Sequence, residues 1–395
     1  MYRLQRYLFI QLGQSIALVL LALTGLFAFF DVIGELDELG KHSYALRHLV
    51  LWVGLSIPAH LVELLPIATL IGAIFAVAQL ADQSEFTMMR MAGLFGARLL
   101  LALLPLAFIL ITCAVALSEW VQPMTDQRAK VIQQIVRGQL PTAIDESGQV
   151  QQFKSGYWLK DIAGQSIRFV NVQQLQTQPF QLQRVTLYHV NTQFQLVEII
   201  FAESMQPSQN REKFETDTNQ TTWQLMGVTR QLVRGATAST EPLSLQAAQA
   251  MRWTVEQLPQ MSLSLGFDAP LFNTIRTQPM QSNLWQLHQL IQYLQQVGQD
   301  ASIAQLTWWQ KFYAPLSCGF FLLLALPFAS LNHRAGGVAS KVFIGVLIGV
   351  ALYFVQKLIA HLTLLHHLPA GWVLSAFWLS VLSVNYAILW FLQQR

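Results

Sequence analysis

The chemistry this chain could perform rests on a few ionisable side chains set in or beside long apolar runs. His361, His366 and His367 in HLTLLHHL form its densest cluster of metal-ligating residue types. No carboxylate or thiol stands near them to complete a ligand set, so they read as helix-end residues and no metal is expected. GGVASK at 336–341 has the glycines and lysine of a phosphate cradle at the wrong spacing, and neither G-x-x-x-x-G-K-[ST], G-x-S-x-G nor H-E-x-x-H occurs. The chain is therefore not expected to be an enzyme or to bind a cofactor of its own.

Two further charges lie inside apolar runs. Glu63 stands between Pro58 and Pro66, and Lys357 lies late in another run. Charge inside a membrane is costly and tends to face a cavity or a partner. Either the two form an intramembrane polar pair, or each extends to the nearest interface. A third group flanks the runs: Lys41 and Arg47 follow the acidic stretch Asp31, Glu35, Asp37, Glu38, and Arg128, Lys130 and Arg137 follow the third run. Cations just outside the hydrocarbon are placed to meet anionic head groups. Lys41, Arg128 and Lys130 are candidate head-group contacts, the plain alternative being solvated helix ends with local ion pairs.

The elements that must position these residues follow from composition. Only 11% of the 395 residues are charged and 53% are hydrophobic, against ~25% charged in soluble domains. The net charge of +3 is scattered, leaving no nucleic-acid footprint. Cys113 and Cys318 both lie in apolar runs and suggest neither a disulfide framework nor a metal site. Apolar runs at about 7–30, 49–80, 98–120, 308–330, 338–360 and 370–392 each approach or exceed the ~20 residues of a transmembrane helix. The second is overlong and is expected to kink at its prolines. The first ends in FFDVIGELDELGK rather than a small-residue cleavage site, so it reads as a retained anchor.

Lys and Arg near the span ends set orientation. With the N-terminus inside, Arg3, Arg6, Arg90, Arg98, Arg334, Lys341 and Arg395 all lie on the cytoplasmic side. The stretch from about 121 to 305 is then outside. Its alternation, in SIRFVNVQQLQ, FQLQRVTLYHV, QFQLVEIIFAES and TTWQLMGVTRQLV, predicts strands of a sandwich or jellyroll. A helical pattern returns in SNLWQLHQLIQYLQQVGQD, with Gly298 as its stop. The expected fold is an α-helical polytopic membrane protein with six transmembrane helices and an inserted all-β, jellyroll-like domain. Residues 1–120 hold spans one to three, 121–305 the β-domain with its flanking helix, and 306–395 spans four to six.

QSEFTMMRMAGLFGAR, residues 83–98, lies between the second and third runs. It reads as a short cytoplasmic amphipathic helix carrying Glu85, Phe86, Met88, Met89, Arg90, Met91 and Leu94. Anchors at such spacings fit a helix docking in a partner's groove. A helix lying on the lipid surface would carry more Lys and Arg. A permease with no nucleotide site and a docking helix implies an ATPase supplied by another chain.

The motifs DVIGELDELGKHSY, ELLPIATLIGAIFAVAQLADQSEFTMMRMAG, LSEWVQP, GYWLKD and WWQKFYAPLS resemble the LptF/LptG permease family of the lipopolysaccharide-export ABC transporter, over essentially the whole chain. GYWLKD and YLQQVGQD are closer to its LptG branch. The resemblance implies an LptF-like permease partner, an LptB-like ATPase dimer that binds the ATP and magnesium, an LptC-like single-span protein beside span one, and lipopolysaccharide as substrate. It implies that Glu85 contacts the ATPase, with Phe86, Met89, Arg90 and Leu94 around it. It places the chain in the bacterial inner membrane with both termini cytoplasmic and the β-domain in the periplasm. LFAFFD departs from relatives that carry a lysine there, leaving Lys41 and Lys130 as the matching head-group cations. A membrane-anchored scaffold or sensor without transport explains the spans and the insertion but not the docking helix. A secondary carrier would need inverted repeats or midplane acids.

Overall fold

The structure, a computed structural model, describes residues 2–37, 39–40, 45–83, 85–91, 97–136, 150–163, 166–176, 180–193, 195–208, 221–234, 252–276, 279, 282–330 and 338–394. Contacts divide the chain into two units, one of residues 1–138, 279–287 and 302–395 and one of residues 139–278 and 288–301.

Among the described residues, the first unit contains six helices long and apolar enough to cross a membrane: Gln5–Leu36, Leu46–Asp82, Leu101–Asp126, Ser302–Phe328, Ala339–Leu365 and Ala370–Ile388. In full, α1 spans Tyr2–Leu36, α2 Leu46–Asp82, α3 Glu85–Met91 and α4 Ala97–Ala116. A π-helical turn, Leu117–Val121, joins α4 to α5, Gln122–Val136. The unit boundary falls after α5, not at 120, because α5 packs on α2.

α2 runs unbroken through Pro58 and Pro66. It is the core of the unit: 67% of its most apolar window is buried, against 11% for Gln5–Leu36 and for Ala339–Leu365. Its Leu70, Ala73, Ile74 and Val77 meet Leu8, Leu12 and Ile16 of α1 and Leu103 and Leu106 of α4 in one cluster. Apolar burial does not distinguish protein from lipid tails, so such helices are held by close packing. Small residues allow that approach. A Cβ on Gly72 would lie 2.5 Å from the Ile16 Cα, so the α1 backbone runs directly over this glycine.

The last three spans follow the second unit. They are α8, Ser302–Leu324, α9, Val338–Leu365, and α10, Ala370–Gln394, with a 3-10 turn at Leu326–Ser330. Gly345 and Gly349 of α9 face Ile74 and Leu70 of α2, a small-xxx-small seam. Gly371 of α10 lies under the Trp309 indole of α8, and Tyr313 shares a 2.7 Å hydrogen bond with Ser375. At the end of α9 the Leu368 N–H donates to the Thr363 carbonyl (3.0 Å) and the His367 N–H to the Leu364 carbonyl (3.4 Å). His367 is left-handed, with φ 49°. This is a Schellman stop ahead of Pro369, and it gives the histidine-rich stretch a structural task.

In the second unit, β1 (Val150–Ala163), β2 (Ser166–Gln176), β3 (Gln181–Val190), β4 (Leu196–Pro207), β5 (Thr221–Arg234) and β6 (Arg252–Leu265) form one antiparallel sheet in sequential order. The four alternating segments read from the sequence are β2 to β5. Asp161 of β1 pairs with Arg168 of β2 at 2.5 Å and accepts the Gly266 N–H, just past β6, at 2.9 Å. Arg168 also donates to the Ser264 carbonyl at 2.8 Å. These bonds join the two ends of the strand order, so the sheet is rolled. Its interior holds Trp223, whose indole N–H donates to the Phe267 carbonyl at 2.9 Å. Phe272, on α6 (Ala269–Arg276), is also fully buried there. α7, Leu284–Gln296, passes from the first unit into the second. It opens with a capping box between Asn283 and Gln286 and stops at Gly298, φ 64°. Tyr293 of α7 donates to the Lys160 carbonyl at 2.6 Å, and burial pushes its hydroxyl pKa up, keeping it a neutral donor.

The close α1–α2 contact yields a contrast between two glycines of one helix. Gly72→Ala drives a methyl into the Ile16 backbone and is expected to cost about 1–3 kcal/mol. Gly54→Ala meets nothing within 4 Å and is expected to be neutral or slightly stabilising. Thermal unfolding of both variants in detergent checks this, and equal behaviour would contradict the packing described.

Candidate functional site

The helices around α2 enclose a cavity of ≈ 310 Å³ inside the first unit. Its walls come from α2 (Ala59 to Ile67), the π-turn (Ser118), α8 (Thr307 to Phe321) and α9 (Tyr353 to Lys357). The lining surface is mostly apolar by area, yet eleven of its seventeen residues carry a polar or charged group, a mixture suited to a polar or lipid head group. Pro66 has no N–H to give the Val62 carbonyl, and Val62 is part of the wall.

The two intramembrane charges singled out in the sequence meet here. Lys357 Nζ lies 3.3 Å from Glu63 Oε1, and the Tyr353 hydroxyl donates to the same oxygen at 2.8 Å. The ammonium also stands over the Tyr353 ring, 5.2 Å from its centroid. The lysine and glutamate side chains stay 52% and 47% exposed. An ammonium has three donors and Glu63 takes one, so this pair is satisfied yet can still receive an anionic oxygen. His60, on the same wall, contacts Asp31 of α1 at 2.6 Å, with Phe27 against its ring.

Lys311 of α8 borders the cavity and donates to the Ser282 carbonyl at 2.7 Å. Two residues on, the Leu284 N–H donates to Glu119 Oε2 at 2.9 Å. Glu119 sits in the π-turn, the widened helical geometry that often marks functional positions. The LSEWVQP motif thus supplies a carboxylate that holds the first turn of α7.

The head-group cations inferred from sequence are only partly visible. Arg128 is exposed on α5. Lys41 and the Lys130 side chain lie outside the described residues. In the segment between α2 and α4, the described helix is α3, Glu85–Met91. The side chains of Phe86 and Arg90, and all of Leu94, lie outside the described residues. Glu85 is half-buried and accepts the Tyr7 hydroxyl on Oε2 at 2.9 Å. Met89 corrects the sequence reading. It is 4% exposed and packs in the chain's own core cluster, so it anchors α3 to the bundle instead of facing a partner. Met88 (57%) and Met91 (77%) are the exposed methionines of α3. Counted along the helix, Glu63 and Asp82 stand about 28 Å apart, so the cavity and α3 mark two separate levels of α2.

The sequence alone did not reveal Tyr7, Asp31–His60, Glu119 or Lys341–Asp82. Their one-dimensional signal was an ionisable or hydroxyl group in or at the edge of an apolar run.

The Glu63–Lys357 pair is testable by a double-mutant cycle. Glu63→Gln or Lys357→Met alone leaves one charge without its partner and should lower the unfolding temperature. The double variant should recover part of the loss, with a coupling energy of about 1 kcal/mol or less for a half-exposed pair. Additive losses would mean the two do not interact.

Comparison with known proteins accords with this arrangement. Residues 6–393 match the family described as lipopolysaccharide export system permease LptF/LptG. The chain is 26% identical over 373 residues to the lipopolysaccharide export system permease protein LptG of Haemophilus influenzae, covering 93% of this chain and 92% of that one. It is 25% identical over 369 residues to the protein of the same name from Escherichia coli K12, with the same coverage of each. A match of this extent, spanning all six apolar helices and the inserted sheet, makes this chain a member of the LptF/LptG family of lipopolysaccharide export permeases.

Proposed function

We propose that this chain is the LptG-like permease subunit that takes lipopolysaccharide from the outer leaflet of the bacterial inner membrane and passes it towards a periplasmic bridge. The observation that carries the reading is the Glu63–Tyr353–Lys357 cluster on a cavity walled by apolar spans, in a chain of this family. A lipid with a phosphorylated head and several acyl chains needs cations at one level and apolar surface along the rest. Lys357 and Lys311 supply cationic donors at the cavity, and Lys41, Arg128 and Lys130 extend the set at the outer mouth. The acyl chains lie against the exposed apolar faces of α1 and α9, where Leu18, Leu21, Phe29 and Phe30 and then Phe343, Leu347, Phe354 and Leu358 stand uncovered.

The cycle is mechanical. An LptB-like ATPase dimer binds ATP and magnesium and docks on the cytoplasmic side against α3 and its LptF-like counterpart. Glu85 meets a cation of the ATPase, and Met88 and Met91 fill its groove. Closure of the ATPases moves α3, α2 carries the displacement, and the cavity narrows and expels the lipid. An LptC-like single-span protein sits beside α1. Both termini lie in the cytoplasm and the rolled sheet lies in the periplasm, a reading supported by the lysine and arginine distribution.

Two substitutions separate the levels in the purified complex. Glu85→Lys is expected to reduce ATPase co-purification at least about tenfold, as like charges meet at a docking contact, while bound lipopolysaccharide is retained. Lys357→Glu is expected to lower retained lipopolysaccharide several-fold and to leave the ATPase bound. Normal export by the Glu85→Lys complex would remove the coupling role. Unchanged lipid retention in Lys357→Glu would remove the cavity from the lipid path. A complex that never contains lipopolysaccharide or an ATPase would favour the scaffold reading.

A further inference from the structure

The segment that leaves α2 and forms α3 is tied to two other spans by polar side chains that no docking function requires. Tyr7, in the second turn of α1, donates to Glu85 Oε2 at 2.9 Å across 78 residues of sequence. Lys341, in the first turn of α9, reaches Asp82, the last residue of α2, at 3.5 Å. These two bonds reach the two spans whose apolar windows are least buried. They lie three residues apart on the chain, and Met89, one helical turn beyond Glu85, locks the same face of α3 into the core.

The two ties differ in kind. The Lys341 side chain is 4% exposed. A buried ammonium separated from its carboxylate is strongly unfavourable, so α9 and the end of α2 must move as one piece. Tyr7 is 40% exposed and neutral, and its bond can open and close against water. The Glu85 carboxylate offers about four acceptor positions over two oxygens, and Tyr7 occupies one of them on Oε2. An incoming cation can therefore bind Oε1 while the phenol remains in place. The Tyr7 hydroxyl fixes which way the carboxylate points without obstructing it.

We propose that Tyr7 is a positioning residue for energy coupling. It presents the Glu85 carboxylate to a cationic group of the ATPase and transmits the displacement of α3 to α1, while Lys341–Asp82 transmits it to α9. The inference rests on the reading of Glu85 as the ATPase contact and adds the route by which the pull reaches the spans that face the lipid. α1 then moves because its hydroxyl is bonded to the carboxylate being pulled, not merely because it packs on α2.

The test uses the full transporter complex in proteoliposomes, with ATP hydrolysed per lipopolysaccharide released as the readout. Tyr7→Phe deletes only the hydroxyl and keeps the ring. It should leave thermal stability and subunit composition as in the parent, and raise the ATP-to-lipid ratio by about three- to tenfold, the scale of one typical net intramolecular hydrogen bond. In a Glu85→Ala background, Tyr7→Phe should add no further loss, since its effect passes through that carboxylate. An unchanged ratio in Tyr7→Phe overturns the proposal. So does tighter ATPase binding with an improved ratio, which would show that Tyr7 competes with the ATPase for Glu85. A full additional loss in the Glu85→Ala background would also overturn it, because Tyr7 would then act elsewhere. If Glu85→Ala itself keeps normal ATPase binding and ratio, the docking role of Glu85 fails. If Glu85→Ala uncouples and Tyr7→Phe does not, only the positioning role fails.

Discussion

The membrane unit depends on one packing constraint: α2 must be enclosed by the other spans at distances that only small residues permit. Gly72 lets the α1 backbone cross directly over it, and Gly345 and Gly349 bring α9 against Leu70 and Ile74. With lipid on every side, there is no solvent-driven force to hold helices together, so close contact and interhelical hydrogen bonds must do it. α2 also carries the groups that matter at two levels, Glu63 in the cavity wall and Asp82 at the root of α3. A rigid helix that is largely buried between these two levels is a suitable strut between them. In the proposed cycle it is the element through which a displacement at one level is felt at the other.

Several ionisable groups set in the apolar spans are partnered across elements, as charge inside a membrane demands. Glu63 takes both Tyr353 and Lys357, Asp31 takes His60, and Glu119 takes the first N–H of α7. Each pairing crosses between elements distant in sequence, so each is also a tie between separate elements. The Lys311 and Glu119 contacts on Ser282 and Leu284 hold the segment from which α7 leaves for the sheet. The rolled sheet meets its own version of the problem through Asp161, which binds Arg168 and the Gly266 N–H deep in the roll.

Much of the fold is legible locally, because it is periodic. Six apolar runs became six helices, and the alternation in SIRFVNVQQLQ and TTWQLMGVTRQLV became β2 and β5 almost residue for residue. Gly298 stops its helix through a left-handed φ, as a glycine after a helical pattern leads one to expect. The site was less legible. Glu63 and Lys357 stood out because charge is rare in such runs, and their pairing is a tertiary fact. Tyr7–Glu85, Glu119–Leu284 and Lys341–Asp82 join residues 78, 165 and 259 apart, beyond any local pattern. Met89 went astray for a related reason. EFTMMRM is apolar on more than one side, so its spacing does not say which methionine turns inward.

The claim that displacement at α3 reaches the cavity along α2 is tested most directly by a distance across the cavity. Spin labels at Ala59 of α2 and Gln356 of α9, in a background with Cys113 and Cys318 replaced, report the width of the cavity in the assembled transporter. Pulsed electron paramagnetic resonance would be recorded without nucleotide and again with ATP and vanadate trapped on the ATPase. The account predicts a shorter distance in the trapped state, and no shortening when Glu85 is replaced by alanine. A distance that stays the same in both nucleotide states of the intact complex would contradict it.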